Sequence, residues 1–317
     1  MDLTTSPLFE RLAPAEHVLI AGAGGGFDVF SGLPLYFRLR ELGKKVSLAN
    51  LSFTHLRAVE GRAVAPGLQE VDAATAGPPE YFPEGWLSRW FQLRGEQVPV
   101  YCFERQGVVP LREGYAALQQ RLGFDTVVLV DGGTDILMRG DEVGLGTPVE
   151  DISSVAAVDG LAVRDKLVVC LGFGVDRHHG VCHAHFLESV AALGKAGGYL
   201  GVTALLDPMP EVALYKEAVE YVCQRMPRHP SIVSLSVVSA IEGDYGDVHR
   251  TTRTQGSELW INPLMSLYWA FDLTAVARRC LYLETLKDTR TVLEVVERLN
   301  VFRARCEPHR PWKDIPV

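Results

Sequence analysis

A chain of 317 residues with 47% hydrophobic and 22% charged side chains has the composition of an ordinary folded protein, and it can bury a large core without disulfides or a structural metal. Its net charge of −8, from 39 Asp and Glu against 31 Lys and Arg, and the lack of a Lys/Arg run argue against a nucleic-acid partner. No window approaches the ~20 apolar residues that span a bilayer, and "MDLTTSPLFERLAPAEH" has neither a basic start nor an apolar core, so no membrane partner and a cytoplasmic location are expected.

In chain order, "HVLIAG" (17–22) reads as a first strand, followed by "AGAGGGFDVF" (21–30) and a helix over 29–42 that Gly43 ends. "KVSLANL" (45–51) reads as a second strand. Between about 52 and 110 the periodicity fades, although "APGLQEVDAATAGPPEYFPEGW" leads into an aromatic group of Tyr81, Phe82, Trp86, Trp90 and Phe91. An irregular insertion is expected there, either a lid or a meandering cover. A helix over 112–122 leads to "TVVLVDG" (126–132), and "KLVVCLG" (166–172), "YLGVTALL" (199–206) and "SIVSLSVVSA" (231–240) read as further strands, with helices over 182–195 and 211–226. Two helices are expected near the C-terminus, about 263–286 and 288–300. The first is apolar nearly all round, which suits a buried core helix or a dimer-forming one, so a homo-oligomer is an open expectation. Continuous apolar strands alternating with helices predict one α/β domain over 1–317, built on a doubly wound, mostly parallel sheet. The six cysteines are scattered with no CxxC pair, as reduced thiols would be.

Ligands of an open parallel sheet bind outside the carboxyl ends of its strands, so three turns carry the candidate residues. In the first, the backbone of Gly22, Gly24, Gly25 and Gly26 and the positive end of the following helix could cradle an anion. A dinucleotide fingerprint fits poorly: its third glycine place falls on Phe27, and Asn50 stands where an NAD ribose wants an acidic residue. No Gly-Lys-Ser/Thr follows for a Walker loop. Asp28 is either a helix cap or a carboxylate beside a ligand, where it would recognise hydroxyls or share a divalent cation with a phosphate.

The second turn, "DGGTDILMRGDEVGLGTP" (131–148), places Asp131, Gly132, Gly133 and Asp135 directly after a strand. Hard oxygen ligands of this kind suit Mg²⁺, Mn²⁺ or Ca²⁺, or the diol of a sugar. Asp131 and Asp135 are therefore the expected catalytic carboxylates and metal ligands. Asp141 and Glu142 read equally well as solvated loop charges. Gly144 and Thr147 could wrap a ligand with backbone amides, while Thr147-Pro148 before "VEDISSV" also opens a helix.

The third turn, "GFGVDRHHGVCHAH" (172–185), gathers Asp176, His178, His179, Cys182, His183 and His185. It lacks a standard zinc spacing, so His178, His179 or His183 is read as a general acid or base that Asp176 orients. Cys182 beside His183 could be a nucleophile, but adjacent residues rarely face each other. A fourth segment, 240–263, carries Asp244, Asp247, His249, Arg250 and Arg253, either as solvated charges or as a loop closing over an anion through arginine.

The combination of "AGGGFDVFSGLPLYFRLRELGKKVSLANLSF", "VDGGTDILMRGDEVGLGTPVEDI" and "GFGVDRHHG" resembles domain of unknown function 1152, a family of archaeal and bacterial α/β proteins. The resemblance spans most of the chain and rests on Gly24, Gly25, Gly26, Asp28, Asp131, Gly132, Gly133, Asp135, Gly140, Glu142 and Gly144. It implies a Rossmann-like fold and transfers no activity. From the residues, the expected function is an enzyme acting on a small phosphorylated, nucleoside-like or sugar-containing metabolite by hydrolysis or group transfer, with Mg²⁺ or Mn²⁺ as the cofactor to expect. The alternatives are an NAD(P)- or S-adenosylmethionine-binding enzyme and a non-catalytic metabolite-binding or assembly protein.

Overall fold

The computed structural model describes residues 4–257 and 259–315. Its strands are β1 (His17–Gly22), β2 (Lys45–Leu51), β3 (Arg62–Ala65), β4 (Leu68–Val71), β5 (Val100–Phe103), β6 (Thr126–Gly132), β7 (Asp165–Leu171), β8 (Tyr199–Ala204) and β9 (Leu267–Asp272). The helices are α1 (Pro7–Leu12), α2 (Asp28–Ser31), α3 (Leu33–Glu41), α4 (Pro83–Leu93), α5 (Val108–Leu122), α6 (Pro148–Asp159), α7 (His183–Lys195), α8 (Pro210–Arg225), α9 (Ile232–Ile241), α10 (Leu273–Arg279), α11 (Leu283–Leu286) and α12 (Val292–Arg305).

All nine strands join one sheet in the order β3-β4-β5-β2-β1-β6-β7-β9-β8. Its centre, β5-β2-β1-β6-β7, is parallel throughout. The pleat explains the continuous apolar strands. Leu19 and Ala21 of β1 enter the core under α5, α6, α7, α10 and α12, whereas Val18 and Ile20 enter the core under α1, α3, α4, α8 and α9. Both faces are covered, so the sheet is the doubly wound, mostly parallel α/β architecture that the sequence predicts. Among the described residues no helix is long and apolar enough to cross a membrane.

Three expected elements differ. Residues 231–240 form α9 instead of a strand: Ser231 caps the helix by accepting from Ser234 N at 3.0 Å, and Ser236 Oγ bonds back to Ile232 O. An apolar run of this length fits a buried helix as well as a strand. The expected helix over 263–286 is a short 3₁₀ turn, then β9, α10 and α11. The aromatic run "LYWAFD" suits a pleated surface, and β9 lies antiparallel between β7 and β8. The stretch 52–110 is no irregular cover. It supplies the β3–β4 hairpin, the helix α4 and the parallel strand β5, so three of the four strands on that side of β1 come from it.

Candidate functional site

Among the parallel strands in chain order, β2 and β5 are laid on one side of β1 and β6 and β7 on the other. The chain reverses its direction of building between β1 and β6, and a crevice opens beyond their carboxyl ends. Ala23 N donates to Val130 O at 2.9 Å, keeping the two strands together just before the first turn departs. Gly25 and Gly26 follow with φ of 98° and 65°, a left-handed path that lets the chain double back into α2. The close helix-to-strand contact that a fingerprint would assign to the position of Phe27 is made by Gly32, which packs against Ile20. Phe27 instead stacks on Phe30 at 4.9 Å.

Asn50 is fully buried at the end of β2. It accepts from Val29 N at 3.3 Å and donates to Gly26 O and to Glu84 Oε1, each at 2.9 Å. Its amide is committed to bracing the glycine turn.

Five carboxylates meet where the turns converge. Asp28 accepts from Gly24 N at 2.6 Å, so it serves the turn itself and lies beside the cavity. Asp131 ends β6 and accepts from Ile136 N at 3.3 Å. Asp135 accepts from both Thr147 N at 2.6 Å and Thr147 Oγ1 at 3.0 Å, which pins the 144–148 loop. Asp176 accepts from Thr134 N at 2.7 Å, tying the third turn to the second. Asp151, on the first turn of α6, completes the group, and α6 is anchored to the glycine turn by Ser154 Oγ donating to Ala23 O at 2.8 Å.

Burial raises the pKa of all five, and it is the largest cause in each. Asp28 is pushed up to about 7. The leading charge effects on Asp131, Asp151 and Asp176 come from other carboxylates. Asp135 alone has a cationic helper among its main influences, His179.

A cavity of about 280 Å³ adjoins this group, with Asp28 and Gly132 in its wall. Gly25 and Gly26 form a second side with Phe53 and Tyr81. The far side is the N-terminal turn of α9, with His229 and Arg253, and Arg253 Nη1 is held there by Pro230 O at 2.7 Å. A glycine turn, a helix N-terminus and a guanidinium facing one small volume suit an anionic ligand.

The other expected residues are spread around this centre. His178 gives its Nδ1 to Val175 O at 2.8 Å and stacks on His179. His179 sits on the Asp135 side, its pKa lowered by burial. His183, on the first turn of α7, packs on Phe173, away from the cavity wall. The Cys182 thiol is buried and donates to Lys313 O at 3.1 Å, which leaves it covered. Glu142 is fully buried and bonded to Arg139 N, Gly140 N and Arg310, so it is a structural carboxylate and no solvated loop charge. Gly144 packs on Gly180, joining the second and third turns. Asp151 and His229 escaped the sequence reading, and Tyr81 entered it only as one of the aromatics of the 52–110 stretch. Asp151 was visible only as part of "TPVED", where an acidic first turn looks like ordinary helix chemistry.

Fold and site together define an α/β protein with an acidic, ligand-sized crevice at the switch point of a doubly wound sheet. The family model described as protein of unknown function (DUF1152) matches residues 86–309, and the chain belongs to that family. The matched span holds the second and third turns; the first glycine turn precedes it. No curated protein and no solved structure matches the chain.

Proposed function

We propose that the protein is an enzyme acting on a small phosphorylated or nucleoside-like metabolite by hydrolysis or group transfer. The observation that carries this reading is the 280 Å³ cavity in which the glycine turn, the α9 N-terminus and Arg253 face Asp28. Positive groups on one side would take the anion, while Asp28 on the other, with the carboxylates behind it, would address the reacting centre. A passive pocket has little use for five clustered carboxylates, four of them buried. The proton carrier in this reading is a histidine, with His229 in the cavity wall and His179 beside Asp135.

Thermal unfolding against nucleotides, sugar phosphates, NAD(P) and S-adenosylmethionine tests it. A ligand at ~100 times its Kd adds roughly 2.7 kcal/mol, a shift of some degrees. Phosphorylated compounds are expected to give that shift in the wild type and to lose most of it in Arg253→Ala. A full shift in that variant would remove Arg253 from the reading, and silence across the phosphorylated compounds would end it.

A second reading, S-adenosylmethionine or dinucleotide binding, draws on the strand order. The parallel strands β5-β2-β1-β6-β7 follow the order 3-2-1-4-5 of dinucleotide-binding sheets. Asn50, already committed at the end of β2, weighs against it. A shift with those cofactors and none with phosphorylated metabolites would favour it.

A further inference from the structure

We infer that Asp28, Asp131 and Asp151 form the seat of one hard divalent cation, Mg²⁺ or Mn²⁺ in class. One carboxylate oxygen from each lies within 4.8 Å of the other two. Metal–oxygen distances of about 2.1 Å place opposite ligands roughly 4.2 Å and adjacent ligands roughly 3.0 Å apart, so closing on an ion draws the three oxygens inward by no more than about 1–2 Å. The three residues come from the turn after β1, the end of β6 and the first turn of α6, and these elements are bonded together around Ala23.

Asp151 supplies an independent observation. Its carboxylate is buried, and Oδ1 has no hydrogen-bond partner among the described residues. Leaving such an atom unserved inside a protein is costly. Its direction is also defined: a Cβ built on Gly24 would lie 2.6 Å from Asp151 Oδ1 and 2.9 Å from Asp28 Oδ2. The two carboxylates thus press on the same glycine from opposite elements, and a side chain there would fill the space they share.

Among the described residues Asp135 and Asp176 fall outside this trio; Asp135 is served by Thr147 and Asp176 by Thr134, so each holds a loop in place. The expectation of Asp131 and Asp135 as ligands is thereby refined: Asp28 and Asp151 stand with Asp131, and Asp135 braces the loop beside them. Asp28 is the member of the trio in the cavity wall, so an ion here would lie at the cavity floor, where a ligand oxygen would complete its shell. That last role rests on the proposed function. The binding of the ion does not.

The test uses the full chain, stripped of metal and titrated with Mn²⁺ alone, the bound ion being counted from loss of the free-ion paramagnetic signal. One ion per chain is expected, together with a higher unfolding temperature. Asp151→Asn is expected to keep the fold, to unfold at the same or a higher temperature without metal because an amide has no charged form to desolvate, and to weaken Mn²⁺ binding by at least ~10-fold. Asp28→Asn, at the cavity wall, should weaken it likewise and serves if the first variant misfolds. No bound Mn²⁺ in the wild type at about 1 mM, or wild-type affinity in a folded Asp151→Asn or Asp28→Asn, overturns the site. Failure of the substrate reading looks different: stoichiometric Mn²⁺ with no effect of any phosphorylated compound. Conversely, an unchanged shift by such a compound in excess chelator would keep the substrate reading but remove the ion from it, and the ion's own site would still stand or fall on the Mn²⁺ titration.

Discussion

A single side chain shows how the glycine turn is maintained. Glu84, fully buried on α4, accepts from Asn50 Nδ2 at 2.9 Å and from Thr54 Oγ1 at 3.1 Å, and Asn50 in turn holds Gly26 and Val29. Burial raises the Glu84 carboxyl above its ordinary 4.5. The folded chain therefore keeps this proton to a higher pH than the unfolded chain does, and stability falls as pH climbs from 4.5 towards the folded value. Glu84→Gln removes the proton while keeping a similar shape. Denaturant unfolding at about pH 5 and about pH 8 should show the variant gaining on the wild type as pH rises, by up to ~1.4 kcal/mol for each pH unit inside the window. A difference that stays flat would mean that Glu84 is equally ionised in both states.

At the scale of elements, what the sequence made legible followed the strength of the local signal. The strands β1, β2, β6 and β7 were readable because each is an apolar run buried on both faces over most of its length, and the edge strand β8 because its apolar run is continuous although only Leu200 in it is buried. The four-residue strands β3 and β4 were not, since both are too short for a period and β3 lies exposed at the sheet edge. α9 was misread because its valines and isoleucines suit a strand, while the deciding feature was the cap Ser231 after Pro230. The site followed the same rule. Turns after strong strands exposed Asp28, Asp131, Asp135 and Asp176, whereas Asp151 and His229 reach the crevice from a helix turn and a loop that only the folded topology brings there. Because Ser231 fixes the start of α9, Ser231→Ala is expected to cost about 1 kcal/mol of stability and to lower affinity for any anion bound beside that turn. A variant as stable as the wild type would show that the packing of Val237 and Val238 defines the helix start without the cap.

At the scale of the whole molecule, the last residues close the fold over its middle. Arg310 donates to Asp141 Oδ1 at 2.8 Å, to Glu142 Oε1 at 2.9 Å and to Glu188 Oε2 at 2.6 Å. Its backbone pairs with Asp141 O and Val143 N. The C-terminal segment is thus a clasp on the loop whose other end carries Thr147, the donor that holds Asp135. Among these contacts the one with Glu142 matters most, because that carboxylate is fully buried and loses its cation if Arg310 is removed. Breaking a buried pair from one side typically costs about 3–5 kcal/mol, and the two backbone donors that Glu142 keeps, Arg139 N and Gly140 N, place Arg310→Ala towards the lower figure. Adding Glu142→Gln removes the stranded charge, so the double variant should recover part of that loss in denaturant unfolding, a coupling that independent sites do not show. Additive losses would mean that Arg310 acts through Asp141 and Glu188 at the surface, and the clasp would then be worth no more than an exposed ion pair.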